Sequence, residues 1–238
     1  MKGASKGEGL GNKFLANIRN TNAIIHVLRC FENDNITHVD GSIDPVRDKG
    51  IIDTELQLKD LETIENRLAK TQKQAVVGGD KQAKRAVEIL LQYKAVLEQG
   101  LSARTVELEK EDRKLVADLN LLTDKPVLYV CNVDEKSAVT GNAYTEAVKA
   151  AIAGEKAEML VVAAATEADI AELESYEERQ MFLEDLGLKE SGCNRLIKAI
   201  YSLLNLETFI TAGEMEVKAW TYRKGWKAPH ARRYPYGF

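Results

Sequence analysis

Val127-Leu128-Tyr129-Val130-Cys131 is an unbroken apolar run that stops at Asn132 and continues as Val133-Asp134-Glu135. Apolar residues without alternation, β-branched and aromatic among them, read as a strand buried on both faces of a parallel sheet. Two other runs share this character: Ala23-Ile24-Ile25-His26-Val27-Leu28-Arg29-Cys30-Phe31 and Met159-Leu160-Val161-Val162-Ala163. Helical patterns separate the three. Strand, helical insert, strand, helix, strand, helix is an α/β order whose parallel strands need right-handed crossovers. In such sheets ligands sit beyond the C-terminal ends of the strands. Those ends carry Asn132 to Glu135 and Ala163 to Glu167.

Working outward, residues 1–12 are rich in glycine (Gly3, Gly7, Gly9, Gly11), which suits backbone freedom more than packing. Phe14, Leu15 and Ile18 fit a short helix over 12–20, and the polar stretch 32–50, with Pro45, reads as a loop. Leu56, Leu58, Leu61, Ile64 and Leu68 recur at helical spacing. Gly78-Gly79-Asp80 interrupts, and Ala86, Val87, Leu90, Leu91, Val96 and Leu97 form a second apolar stripe closed by Gly100. The pattern predicts an antiparallel helical hairpin whose arms, each about three to five turns long, must pack on one another to be stable. A helix capped by Thr105 is expected over 105–123, ended by Asp124-Lys125-Pro126. Further helices are expected near 143–153, as one acidic helix over 168–186, and over 193–204. Phe209–Gly213 and Val217–Thr221 read as a β-hairpin that opens another domain.

Composition limits the function classes. The chain has 238 residues, 45% hydrophobic and 29% charged, with 33 Lys+Arg against 37 Asp+Glu. That suits a globular protein with its own core and excludes a nucleic-acid polycation, though not a local basic surface. Cys30, Cys131 and Cys193 are far apart in the sequence and lack C-x-x-C spacing, so neither a disulfide framework nor a zinc site is expected. Buried, reduced thiols are expected instead. No apolar run approaches the ~18 residues of a membrane span. The N-terminus lacks an apolar signal-peptide core. His26, within a strand pattern, reads as a structural, hydrogen-bonded histidine.

Several segments together resemble one family. KGASKGEGLGNKFLANIRNTNAIIHVLRCFENDNITHV at 2–39 is similar to the segment after the second phosphate motif of the YchF-type, Obg-like ATPases. Asn132-Val133-Asp134-Glu135 matches that family's N-x-x-E base-recognition motif. AAATEADIAEL at 163–173 resembles its last nucleotide-contacting loop, and LNLETFITAGEMEVKAWT at 204–221 resembles the entry into its β-grasp (TGS) domain. The resemblance runs from residue 2 to about residue 230, in matching order and spacing.

The resemblance implies a P-loop NTPase parallel sheet interrupted by a helical (coiled-coil) hairpin and followed by TGS. The expected division is 1–52 and 123–206 for the nucleotide-binding domain, 53–122 for the insert and 207–238 for a truncated TGS domain. It implies a cytoplasmic protein that hydrolyses ATP with magnesium. Its implied partners are the large and small ribosomal subunits, with RNA as a further partner and no membrane. Asn132, Val133, Glu135, Ala163 and Ala164 would bind the nucleotide, and Gly3, Gly7, Gly9 and Gly11 would belong to a switch region. In that family the usual catalytic glutamine position is apolar, so the resemblance assigns no catalytic base.

Chemistry supports the base assignment. In an N-K-x-D motif the carboxylate accepts the N1 and N2 hydrogens of guanine, whereas adenine offers a donor at N6 and a bare acceptor at N1. The longer Glu135 displaces the carboxylate and disfavours the guanine pair.

The sequence contains no G-x-x-x-x-G-K-[ST], and the D-x-x-G and threonine-bearing switch motifs of the family do not precede Lys2-Gly3. The chain is therefore expected to be a fragment with base recognition but no hydrolysis. The alternatives are a ribosome- or RNA-binding module without turnover, and a non-functional truncated reading frame. At the other end, one base inserted into codons for A-G-I-H-T-D-F-E yields Arg-Arg-Tyr-Pro-Tyr-Gly-Phe and a stop, which matches residues 232–238. That tail is expected to be a frameshift product with no function of its own, and Met1 an internal GTG codon read as a start.

Overall fold

The computed structural model describes residues 10–77, 80–155 and 157–227. Gly3, Gly7 and Gly9, the Gly78-Gly79 turn and the 228–238 tail lie outside the described residues. The three apolar runs form strands β1 (Ile24–Arg29), β2 (Val127–Asn132) and β3 (Glu158–Val162). All are parallel, in the order β1-β2-β3, with Arg29 opposite Asn132 and Asn132 opposite Val162. The central strand β2 is buried along its length up to Asn132. Helices α1 (Leu10–Arg19) and α5 (Ala143–Ala151) also form where their apolar spacing predicts. Gly11, expected to be switch-like, lies in the first turn of α1.

The strand expected to be buried on both faces at 23–31 is open on one. Ile25 is 43% and Val27 61% exposed. Helix α8 (Gly192–Leu203) packs on β2 and β3 on that side and does not cover β1. On the opposite face Leu28, Cys30, Val127, Tyr129 and Cys131 pack with Val148 and Ile152. The two cysteines that are distant in sequence are neighbours here, because Leu28 stands opposite Cys131 and Cys30 follows on the same face. Both are buried free thiols that hydrogen-bond each other, which raises the Cys30 pKa and lowers that of Cys131. Cys193, expected to be buried, is exposed in the first turn of α8.

The hairpin starts earlier and is longer than its apolar stripe suggests. Helix α2 spans Pro45–Val77, 33 residues, and α3 spans Lys81–Glu98. Pro45 is no loop residue. It occupies the first helical position, where its fixed φ fits and no amide is lost. Asp44 Oδ1 caps the helix by accepting the Val46 and Arg47 amides at 3.1 and 3.0 Å. Ile64 and Leu68 of α2 pack with Ile89, Leu90, Tyr93 and Leu97 of α3, so each arm buries the other's stripe.

The helix expected over 105–123 breaks into pieces. Only Lys110–Val116 is α-helical (α4), with single 3-10 turns at Ala103–Thr105 and Ala117–Leu119. Thr105 is not a cap, since its hydroxyl donates to the Ser102 carbonyl at 2.8 Å. The tertiary structure outbids local helix propensity here. Ala103 N–H donates to Thr123 Oγ1 and Arg104 N–H to the Thr123 carbonyl, both at 3.1 Å, which ties 103–104 alongside 123. Asn120, at φ 46°, turns the chain out of the second 3-10 turn.

Asp60 of α2 holds this return point. Its side chain is fully buried. Oδ1 accepts the Leu122 amide at 2.8 Å, and Oδ2 accepts the Thr123 amide and hydroxyl, each at 2.7 Å. Burial pushes its carboxyl above the usual range, against the pull of these donors and of Arg19. Arg19, at the end of α1, donates to the Leu119 carbonyl and to Thr63 on α2. Nearby, Lys49 bridges Asp53 (2.6 Å) and Glu155 (2.5 Å), and Tyr129 O–H donates to Glu155 at 2.9 Å. Burial alone would lower the Lys49 pKa, but the two carboxylates raise it. His26 packs its ring 5.6 Å from that of Tyr129. Burial pushes its imidazole below the ordinary value, chiefly against the opposing field of Asp53.

The acidic stretch expected as one helix is two, α6 (Ala164–Glu172) and α7 (Tyr176–Asp185). Ser175 and Glu178 form a reciprocal capping box that starts α7 afresh, a sequence signal that the acidic composition concealed. Strands β4 (Leu206–Ala212) and β5 (Val217–Arg223) pair antiparallel as the hairpin expected at that place.

Replacing Asp60 by Ala leaves two buried amides without their acceptor, so unfolding in urea should show a loss of about 3 kcal/mol. Asp60→Asn, which keeps one acceptor oxygen, should cost clearly less. An unchanged midpoint for Asp60→Ala would contradict the role assigned to this carboxylate.

Candidate functional site

The C-terminal ends of β2 and β3 converge as the sheet topology requires. Asn132 closes β2, and its carbonyl accepts the Cys30 amide at 2.8 Å. Val133 N–H donates to the Val162 carbonyl at 2.9 Å, and the Val133 side chain is buried. This fixes the two ends side by side. Ala163 follows β3 as the N-cap position of α6 and has no side-chain acceptor for the helix's first amides. Asn132 supplies one from across the sheet: its Oδ1 accepts the Ala164 amide at 3.0 Å. Because Ala164 N–H can only donate, the side-chain oxygen must face it, and Asn132 keeps its Nδ2 as a donor. Four of the five residues expected to bind nucleotide, Asn132, Val133, Ala163 and Ala164, are thus linked directly through the backbone and one side chain.

Glu135 is exposed in a 3-10 turn, Glu135–Ser137, that begins beyond Asp134. Asp134 caps that turn through its side chain, which accepts the Ser137 amide at 3.2 Å. Next to it Asn142 starts α5 with a capping box and donates from Nδ2 to the Cys30 carbonyl at 2.7 Å, which ties this loop to the end of β1. The arrangement offers an amide donor from Asn132 and a carboxylate acceptor from Glu135, a pairing suited to the edge of a purine.

Two further residues escaped the sequence reading. Glu167 accepts the Gly192 amide at 2.5 Å and the Cys193 amide at 3.1 Å through separate oxygens. Gly192 has no space for a side chain, since a Cβ would stand 2.9 Å from both Glu167 Oε1 and Val162 Cγ1. Neither role has a local signature, because the partners are far apart in sequence. Ser191 caps α8 by accepting the Asn194 amide.

Among the described residues no group of three or more His, Cys, Asp or Glu is arranged to hold a metal ion. Nor is any helix among them long and apolar enough to cross a membrane.

A three-stranded parallel sheet carrying an asparagine at the end of its central strand, with a long helical hairpin between β1 and β2, forms part of an α/β fold of the P-loop NTPase kind. No family model matches the chain. The ribosome-binding ATPase YchF of Bacillus subtilis is 54% identical over 231 residues, 96% of this chain and 63% of its own length. Obg-like ATPase 1 of Rattus norvegicus is 43% identical over 237 residues, 97% of this chain and 59% of its own length. A solved structure of the Schizosaccharomyces pombe YchF GTPase superposes with a TM-score of 0.83 at 33% identity, and covers 97% of this chain and 63% of that one. The chain belongs to the YchF-type, Obg-like family and spans less than two thirds of the length of these relatives.

Asn132→Ala removes the cap of α6, so the chain should lose about 1 kcal/mol of stability in denaturant unfolding. The Ala164 amide should also exchange faster with solvent. Unaltered exchange at Ala164 would show that Oδ1 does not hold that amide.

Proposed function

We propose that this chain carries the base-recognition part of a purine-nucleotide site with a preference for ATP, in a protein that associates with ribosomes. The observation that carries the proposal is the hydrogen bond from Ala164 N–H to Asn132 Oδ1. It leaves Nδ2 as the donor of that side chain, matched to N7, an acceptor common to adenine and guanine. Asn132 then selects purines, and Glu135 discriminates between them, since its carboxylate can accept from adenine N6. The relatives include one named an ATPase and one named a GTPase, so the Glu135 position is where the preference is best tested. Val133 and the Ala163-Ala164 backbone complete the site. Magnesium and the phosphate cradle would come from the motifs that these 238 residues do not contain, so the chain alone is expected to bind without turnover. The glycine-rich start, Gly3 to Gly11, would follow the γ-phosphate in the family's longer members, and the chain would divide at 1–52, 53–122, 123–206 and 207–238, with the first boundary falling inside α2 (Pro45–Val77). A cytoplasmic location fits this reading.

One observation favours the helical hairpin as the ribosome contact. Its distal half presents Lys70, Lys73, Lys81 and Lys84, all exposed, on a chain whose net charge is −4. A basic tip on an acidic protein suits the phosphate backbone of ribosomal RNA.

Titration with ATP and GTP tests the base reading. The unaltered chain should bind ATP more tightly, and Glu135→Asp should move the ATP-to-GTP ratio toward GTP by about tenfold. Equal affinities that the substitution does not change would overturn it, as would magnesium-dependent turnover by the 1–238 chain for the claim of binding alone. Co-sedimentation tests the partner. Charge reversal of the four lysines should weaken ribosome association and flatten its salt dependence. Association unaffected by the reversal would exclude the hairpin tip as the contact.

A further inference from the structure

We propose that Glu167 is a positioning residue that braces the base-binding segment against helix α8, so that the seating of the β4–β5 hairpin and the affinity for the base are coupled. The inference rests on the base-site reading given above. Glu167 stands in the first turn of α6, and its own amide donates to the Ala163 carbonyl at 3.0 Å. Its carboxylate reaches sideways to the N-terminus of α8 and accepts the amides of Gly192 and Cys193. With Ser191 holding Asn194, three first-turn amides of α8 have acceptors. Two of those acceptors belong to one negative charge placed where the helix dipole favours it.

The fit is close as well as polar. Glycine at 192 brings the α8 backbone against Val162 and Glu167, and a Cβ there would clash with both. One turn on, Arg195 donates to the Val161 carbonyl at 2.7 Å. The N-terminal turns of α8 are therefore fixed to β3 and α6 together. Its other end is fixed to the hairpin. Lys224 N–H donates to the Asn205 carbonyl at 2.7 Å, and the Tyr201 hydroxyl lies 3.3 Å from the hydroxyls of Thr221 and Thr208. Asn205, at φ 51°, makes the turn from α8 into β4. Helix α8 thus runs as one 12-residue strut between the hairpin and the segment whose Ala164 amide holds Asn132. A shift of the hairpin that moves this strut pulls on Glu167, and through α6 on Ala163, Ala164 and the Asn132 side chain. Linkage makes the effect reciprocal, so occupancy of the base site also biases the hairpin.

Nuclear magnetic resonance of the full chain separates this role from simple helix capping. Glu167→Gln preserves the shape but turns an NH2 toward one of the two amides. Ser191→Ala removes a cap from the same helix without touching α6. Coupling predicts that Glu167→Gln displaces the resonances of the Ala164 amide and the Asn132 side-chain amide and weakens ATP binding about fivefold. Ser191→Ala should lower the melting temperature and leave both readouts unchanged. If Glu167→Gln lowers stability yet leaves Ala164 and Asn132 in place, or if Ser191→Ala moves them equally, Glu167 is only a cap and the inference fails. Glu167→Asp, which withdraws the carboxylate by one methylene, gives the same readout should the Gln variant not fold. The resonance test needs no nucleotide, so absence of ATP binding by the unaltered chain would defeat the base-site reading separately.

Discussion

The chain leaves the sheet after β1, builds a long helical hairpin and must re-enter beside the strand it left, in register. A buried carboxylate on α2 sets that re-entry. Asp60 binds the amides of Leu122 and Thr123 and the hydroxyl of Thr123, four residues before β2 begins. Thr123 passes the constraint to Ala103 and Arg104 on the segment after α3. A buried carboxylate surrounded by directed donors tolerates little displacement, because each donor it lost would be left unpaired in a dry site. The position of β2 therefore depends on α2, and the position of Asn132, at the far end of β2, depends on β2. A residue outside the site thereby governs where its central side chain lies.

Strands β2 and β3, the hairpin's helical character and the final β-hairpin were legible because each is a strong periodic or uniform apolar signal. The errors share a cause. Pro45 read as a loop because it breaks helices everywhere except at their first position, and only the Asp44 cap reveals that position. Residues 105–109 and 117–123 carry a helical pattern, but Asp60 and Thr123 impose another conformation. Ile25 and Val27 read as buried because their side chains are apolar. Their exposure follows from where α8 lies, which no local pattern states.

The site was legible in part. The end of an apolar run placed Asn132, Val133 and Glu135 at the C-terminal end of the central strand, and the family resemblance supplied the Asn-x-x-Glu reading and added Ala163 and Ala164. The bond that joins these two groups was not legible, because Ala163 is a poor cap and its deficiency is corrected by a residue on another strand. Glu167 and Gly192 were hidden for the same reason. One is an ordinary acidic residue on a helix, and the other an ordinary glycine after a serine. Their meaning appears only when α6 and α8 are brought together.

The hairpin also has a mechanical consequence. Helix α2 continues from Asp60 to Val77, ~26 Å at 1.5 Å per residue. Its root is fixed by short, directional bonds, and beyond Arg67, which donates to Asp118 at 3.0 Å, it packs chiefly on α3. Such a shape is a lever. A rotation of about 10° at Asp60 would sweep the lysine-bearing tip through ~4–5 Å. Contact at the tip would return to the root as torque on the carboxylate that sets the register of β2.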